Sequence, residues 1–232
     1  MRSLKLALLT VFTSGSLAAQ AYNYPDLQTP RIVDREYNFA AASAGNAGTS
    51  LIFQWREGLN TDWQFSLDGG LASPKGGGNT RIILGGGLGY QWVRATADMP
   101  FDIAATFGAG FSSGSSLTVV RLPIGAAVGH TFKLDNGNEL TPFVHPRLSL
   151  DFCSGPDART IGNPSGTGST TIPGACPSNA KVDVDVDVGV NYEITPQVAL
   201  RLAALLGGTS YLGSTNGVGF SIAWTPKGLK KF

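Results

Sequence analysis

Val182-Asp183-Val184-Asp185-Val186-Asp187-Val188-Gly189-Val190 alternates apolar and polar residues with period two. A strand turns successive side chains to opposite faces, so the three Asp share one face and the Val residues the other. On a helix the same Asp residues would scatter around the axis. β-branched Val also favours the extended chain. The stretch predicts a strand with one apolar and one charged face, and its parity can be followed outward along the chain.

The same phase recurs. Residues 82–92 set Ile82, Leu84, Leu88, Tyr90 and Trp92 against Gly85, Gly87, Gly89 and Gln91. Residues 120–132 set Val120, Leu122, Ile124, Val128 and Phe132 against Arg121, Gly125 and Thr131. Residues 140–152 separate Leu140, Val144, Leu148 and Leu150 from His145, Arg147, Ser149 and Asp151. Residues 198–206 and 218–224 repeat the pattern around Arg201 and Ser221. Ten strands follow, over 36–45, 49–58, 62–73, 80–95, 101–113, 117–134, 139–153, 181–194, 197–210 and 217–226, with eight as the alternative count. Asn60-Thr61-Asp62, 96–100, Asp135-Asn136-Gly137-Asn138 and Thr195-Pro196 are short connectors with turn chemistry. The intervening connectors are rich in Gly and Ser, and one, 154–180, is long.

Composition bounds the class. A chain of 232 residues with 14% charged residues is far less charged than the roughly 25% of an ordinary soluble domain. It is too apolar for a disordered chain, and its 31 Gly show no three-residue period of collagen. Arg2 and Lys5, the apolar run Leu6 to Phe12 and the ending Ala19-Gln20-Ala21 read as a secretory signal peptide over 1–21. Without those two bases, 15 basic residues face 16 acidic ones, so no excess exists to neutralise phosphates, and nucleic-acid binding is disfavoured. Cys153 and Cys176 flank a Gly/Ser/Thr-rich stretch, and in an oxidising compartment a disulfide is the simplest expectation. Closing a loop of that length contributes ~3 kcal/mol in the chain-entropy model. No His lies close to complete a zinc set, and no metal or cofactor is expected.

The faces decide where the chain sits. A soluble barrel or sandwich points its large apolar residues inward and its polar face to water. Here the polar face carries Gly, Ala, Asp and Arg rather than Lys and Glu, and the strands are longer than the usual five or six residues or so. A membrane barrel inverts the arrangement, and must close because open edges cannot be solvated by lipid. With a periplasmic N-terminus, Trp55, Trp63, Trp92, Phe101, Phe132, Tyr192 and Trp224 all fall at one rim with lipid-facing parity. That is an aromatic belt. The fold expected is all-β, a closed antiparallel up-and-down transmembrane barrel.

These features together resemble the small outer-membrane β-barrel domains of Gram-negative bacteria, over roughly residues 36–226. The resemblance implies an outer-membrane location, a lipid environment, and handling by periplasmic chaperones and the barrel-assembly machinery. The chain divides accordingly into signal peptide 1–21, a periplasmic lead 22–35, the barrel 36–226 with extracellular loop 154–180, and a tail 227–232. In the family the closing strand usually ends on a terminal aromatic; here that pattern ends at Trp224, and the tail breaks its phase.

Parity sends Arg56, Asp68, Arg81, Asp102, Arg121, His145, Arg147, Asp151, Asp183, Asp185, Asp187 and Arg201 inward. Hairpin register sets Arg121 near Asp151 and Arg147 near Asp185 and Asp187. The expectation is a salt-bridged filling, with a polar track for small solutes or ions as the sharper reading. Same-face carboxylates of one strand stand about 7 Å apart, too far to converge on calcium. Some ten-stranded outer-membrane barrels are proteases with Asp-Asp and Asp-His pairs, and neither dipeptide occurs here. His145 and Ser149 are separated by about 13 Å of strand, too far for a nucleophile–base bond. A non-enzymatic barrel, structural or a narrow pore, is therefore the leading expectation. A surface-interaction protein using 154–180, with an unidentified receptor, and a soluble extracytoplasmic barrel for an apolar ligand are the alternatives.

Overall fold

The computed structural model describes residues 27–44, 48–73, 80–114, 117–155, 159–162, 169–172, 180–207, 209–210, 213–214 and 216–226. The expected signal segment 1–21, Cys176 and the tail 227–232 lie outside the described residues. Strands form at β1 (Arg35–Ala44), β2 (Gly48–Gly58), β3 (Trp63–Ser73), β4 (Arg81–Val93), β5 (Asp102–Gly114), β6 (Leu117–Gly129), β7 (Phe132–Lys133) and β8 (Glu139–Ser154). They continue as β9 (Arg159–Gly162), β10 (Ser169–Ile172), β11 (Ala180–Thr195), β12 (Val198–Gly207), β13 (Thr209–Ser210), β14 (Gly213–Ser214) and β15 (Gly217–Trp224).

Ten of these close a barrel. β1 to β6 pair in sequence with their neighbours, then β6 with β8, β8 with β11, β11 with β12, β12 with β15, and β15 back with β1. Every pairing is antiparallel. Closure leaves no barrel strand with an unpaired edge.

Turn chemistry sets the register at one end, called here the turn end. Asn60 accepts the amides of Asp62 and Trp63 at 2.8 and 2.9 Å, an Asx turn that joins β2 to β3. Gly137 takes a left-handed φ of 83°, and Leu134 and Asn138 bond across the Asn136-Gly137 turn. The Thr195 hydroxyl accepts the amides of Gln197 and Val198 and fixes the two-residue turn between β11 and β12.

Three expected boundaries shift. The strand expected over 117–134 stops at Gly129 and resumes as β7 against the start of β8. Counting on from Gly129↔Phe143, His130 falls opposite Pro142, which has no N–H to donate to the ladder. The strand expected over 197–210 ends at Gly207, and β13 turns back onto β14. The long segment 154–180 is not loop alone: β9 and β10 pair within it as an antiparallel hairpin.

The faces follow the sequence parity. On β11, Val182 and Val184 are 61% and 58% exposed, while Asp185 and Asp187 are fully buried. Ile82, Leu84, Leu122, Ile124, Leu148, Leu202, Leu206, Phe220 and Ile222 are all exposed on the outside. The bore is mostly polar, with one apolar cluster in which Ile52, Ile83, Phe143 and Leu205 point inward among Ala40, Ala42, Ala72 and Ala203. That cluster has a further member, Leu27, which belongs to no strand.

Candidate functional site

The bore is the site, and its charged side chains organise it into three groups. At the turn end, Glu36 of β1 is buried between two arginines. Arg56 Nη1 donates to it at 2.9 Å, and Arg201 Nη1 at 2.8 Å with Arg201 Nη2 bonding its other oxygen. Arg201 also donates from Nε to Asn191 Oδ1, its register partner, at 2.9 Å. In the middle, Arg147 makes a bidentate pair with Asp187 at 2.7 and 2.8 Å. The His145 ring lies beside that pair, with Nδ1 3.8 Å from Asp187 and Nε2 2.9 Å from the Thr106 hydroxyl. Further along, Arg121 forks onto Asp151 at 2.8 and 2.7 Å and reaches Asp185 at 3.0 Å and Asp183 at 3.3 Å.

The Arg121–Asp151 pair is where parity and register predict it, since the two are direct cross-strand partners. Arg147 also meets the carboxylate face expected for it. Asp185 is its register partner, and the guanidinium leans along the bore to Asp187, while Asp185 accepts from Arg121 and Ser149. Such a lean is open to a long side chain whose head can choose between carboxylates two residues apart on one face. His145 and Ser149 do not meet: the ring bonds Thr106, and the hydroxyl bonds Asp185. Asp68 is buried on β3 opposite Gln54, and Arg81 sits half-exposed at the loop end of β4 with its stem against Gly114.

Sequence reasoning missed Glu36, the centre of the turn-end group. Its signal was present: Glu36 is the register partner of Arg56 and shares the parity of Asn38. It also missed Arg31, which donates to Asp102 at 2.6 Å.

The largest correction concerns the lead expected outside the barrel over 22–35. Of its described residues, Leu27, Gln28, Thr29 and Pro30 are buried within the bore. Arg56 donates to the Leu27 carbonyl at 3.2 Å. The Val33 and Ile32 amides donate to the side-chain oxygens of Gln64 and Gln91 at 3.2 and 2.9 Å, and Gln91 returns a bond to the Pro30 carbonyl at 3.0 Å. Near the rim, Gly58 donates to the Asp34 carbonyl at 2.7 Å. A recess of about 80 Å³ remains at the turn end, between this segment and Glu36, Thr141, Asn191 and Arg201. A second of about 10 Å³ lies between Gln28 and the wall at Ser66, Gly87, Gly89 and Thr106.

The aromatic residues form a belt outside the same end. Trp63, Trp92, Phe101, Phe132 and Trp224 are exposed, and Trp55 and Tyr192 are half-buried. Neighbouring rings join them: Tyr37 stacks on Trp224 at 5.6 Å, Trp55 meets Phe65 at 5.3 Å, and Trp63 meets Tyr90 at 4.8 Å. His130 bridges Phe101 and Phe132 at 6.2 and 4.4 Å. The rings' tips find polar partners, Asn138 for the Tyr192 hydroxyl at 2.7 Å and Glu57 for the Trp55 indole at 3.1 Å.

No family model and no curated protein matches the chain. Solved structures similar to it include a bacterial polysaccharide outer membrane secretin, with a TM-score of 0.47, 7% identity, and coverage of 85% of this chain and 67% of that one. LpxR from Salmonella typhimurium gives a TM-score of 0.45 at 9% identity over 83% and 84% of the two chains. The NanC porin gives 0.37 at 7% identity over 83% and 100%. The likeness is one of architecture, to outer-membrane β-barrels.

Proposed function

We propose that the chain is a non-enzymatic integral β-barrel of the bacterial outer membrane, closed in its resting state by its own interior. The observation that carries this reading is the inversion of the faces: arginines and carboxylates are buried and bonded to one another inside, and large aliphatic side chains are exposed outside. Water would reverse that arrangement; a bilayer requires it. The belt supports an orientation with the turn end at a membrane interface, where amphipathic rings are favoured. Strands of ten residues or more, as at β1 to β6, β8, β11 and β12, suit a tilted crossing, which needs about 9 to 11 residues. Bidentate, buried pairs along the inner wall, between neighbouring or next-but-one strands, favour a structural barrel over an open pore, because a water-filled channel would leave those groups hydrated.

In this reading the signal segment 1–21 directs export, β15 closes the sheet for the assembly machinery, and Cys153 pairs with Cys176 on the cell surface. Contact with a surface partner through 154–180 is a second role, favoured by the β9–β10 hairpin that shapes this segment.

The decisive experiment refolds the mature chain into lipid vesicles and then into a planar bilayer. Heat-modifiable gel mobility with no steady current is expected. Steady ohmic current from the unaltered chain would make it a pore, and folding without lipid would make it a soluble barrel.

A further inference from the structure

From the seating of the lead within the bore, we infer that residues 27–34 are an internal strap that closes the bore, and that their release opens a path for small polar solutes. The inference rests on the closed-barrel reading above and names the part that holds it closed.

The wall is shaped to receive this segment. A Cβ added at Gly129 would stand 2.5 Å from the Pro142 carbonyl oxygen of the next strand and 2.8 Å from Pro30 Cγ, and one at Gly58 would stand 3.0 Å from the Val33 carbonyl oxygen. At Gly219 it would touch Leu27 Cδ2 at 3.5 Å. Glycines on three separate strands thus make room for three parts of one segment. The polar wall residues Gln64 and Gln91 reach across to bond backbone amides that an extended segment leaves open. Leu27 ends the described segment inside the apolar cluster with Ile52, Ile83 and Leu205. Its left-handed φ of 55° is a conformation that a Leu keeps only when its surroundings hold it there.

The strap spans the bore: Leu27 and Pro30 meet β2, β6, β12 and β15, while Gln28, Ile32 and Val33 lie against β3 to β5. By parity β3, β4 and β5 turn inward many small residues, Ser66, Gly85, Gly87, Gly89, Ala104, Thr106, Gly108 and Gly110 among them, beside the larger Gln64, Asp68, Ile83, Gln91 and Asp102. Gln28 already sits over Ser66, Gly87, Gly89 and Thr106. With the strap withdrawn, the space beside these residues is lined by hydroxyls, amides, backbone and the Asp68 carboxylate, with Arg31 and Asp102 at the rim no longer joined. That lining suits small polar solutes. The opposite side keeps its ion pairs, so the barrel remains folded.

The test combines accessibility with conductance. Thr29→Cys is placed in the mature chain and inserted into vesicles, with Asn136→Cys in the exposed turn as reference. A water-soluble maleimide should label position 29 roughly tenfold or more slowly than position 136, as for any group that reacts only on local opening. The unsubstituted chain labelled in parallel accounts for Cys153 and Cys176. Two releasing variants are then compared: Gln64→Ala/Gln91→Ala, which removes the clasp, and Leu27→Asp, which leaves the wall intact and expels the anchor. Each should raise labelling at position 29 towards the reference rate, and each should give current in KCl where the parent is quiet. Equal labelling of positions 29 and 136 in the parent overturns the strap. So does a variant that releases position 29 without any gain in current. Loss of vesicle insertion by the unsubstituted chain is a separate outcome, which refutes the membrane reading.

Discussion

One half of the bore fills itself with charge, and the other is filled from outside the sheet. From β6 through β8, β11 and β12 to β2, the wall projects Arg121, Arg147, Arg201 and Arg56 with their carboxylates. From β3 to β5 it projects mainly Gly, Ser, Ala and Thr, and a separate stretch of chain covers part of that wall while also reaching Arg56 and Leu205 opposite. The two halves are complementary in volume, because long side chains and a bound segment exclude water equally well from a ten-stranded bore. They differ in what each asks of the sequence. A charged half is demanding, since every buried charge needs a partner. A glycine half is permissive in chemistry but exacting in space.

The sharpest break is expected in the charged half. Arg147→Ala leaves Asp187 buried without its bidentate partner and should cost about 3–5 kcal/mol. In an Asp187→Ala background the same change should cost far less, because the carboxylate that needs it is gone. Urea unfolding of vesicle-inserted protein reads both. Equal losses in the two backgrounds would show that the pair is not coupled and that this half is held by something else.

Next comes the outer surface of the same half. Val186 lies near the middle of β11 and Val182 near its loop end. In a bilayer, Val186→Arg should cost about 2–4 kcal/mol and Val182→Arg about 0–1 kcal/mol. A soluble exterior would tolerate Arg at both sites, so a flat profile measured by refolding into vesicles would remove the lipid face.

The charged half was legible in sequence, and the other half was not, for a physical reason. Period-two alternation around Asp183, Asp185 and Asp187 reports which face is polar, and turn chemistry at Asn136-Gly137 reports register. Together they reach Arg121–Asp151. They cannot choose between Asp185 and Asp187 for Arg147, because the choice lies in the side-chain torsions of a long residue, not in backbone parity. Inward glycines carry no signal of what occupies the space beside them. The segment 27–34 has no alternation to follow, and its bonds go to Gln64, Gln91 and Asp102, far away in sequence. Glu36 is a different kind of miss, since register to Arg56 was enough to find it.

In the strap itself, Leu27→Ala removes the apolar anchor. It should destabilise the barrel by about 2 kcal/mol, the low end for a buried Leu, because a chain segment can settle into the space more readily than a closed core. Unfolding in vesicles measures it. A cost below a few tenths of a kcal/mol would mean that Leu27 is not seated in the cluster with Ile52 and Leu205.

The smallest effect carries the finest distinction, since it compares one substitution at a wall position packed on the neighbouring strand with one at a wall position that meets the strap. At Gly125, on the charged side, a Cβ would stand 2.5 Å from the Pro146 carbonyl oxygen and 2.7 Å from Arg147 Cγ. Backbone cannot retreat as a side-chain end can, so Gly125→Ala should cost about 1–3 kcal/mol. At Gly219 the nearest atoms are Leu27 Cδ2 at 3.5 Å and Leu205 Cδ1 at 3.6 Å, an ordinary van der Waals approach to two side chains. No left-handed φ is needed there, and the neighbours across the sheet, Ala42 and Ala203, are small. Gly219→Ala should therefore stabilise by about 0.4–1 kcal/mol, by narrowing the unfolded ensemble. Its added methyl would also lie against Leu27, so part of that gain should vanish in the Leu27→Ala background. A gain unchanged by Leu27→Ala would mean that strap and wall do not touch at this point, whereas a loss at Gly219 as large as at Gly125 would mean that the wall there is as closely packed as it is against Arg147.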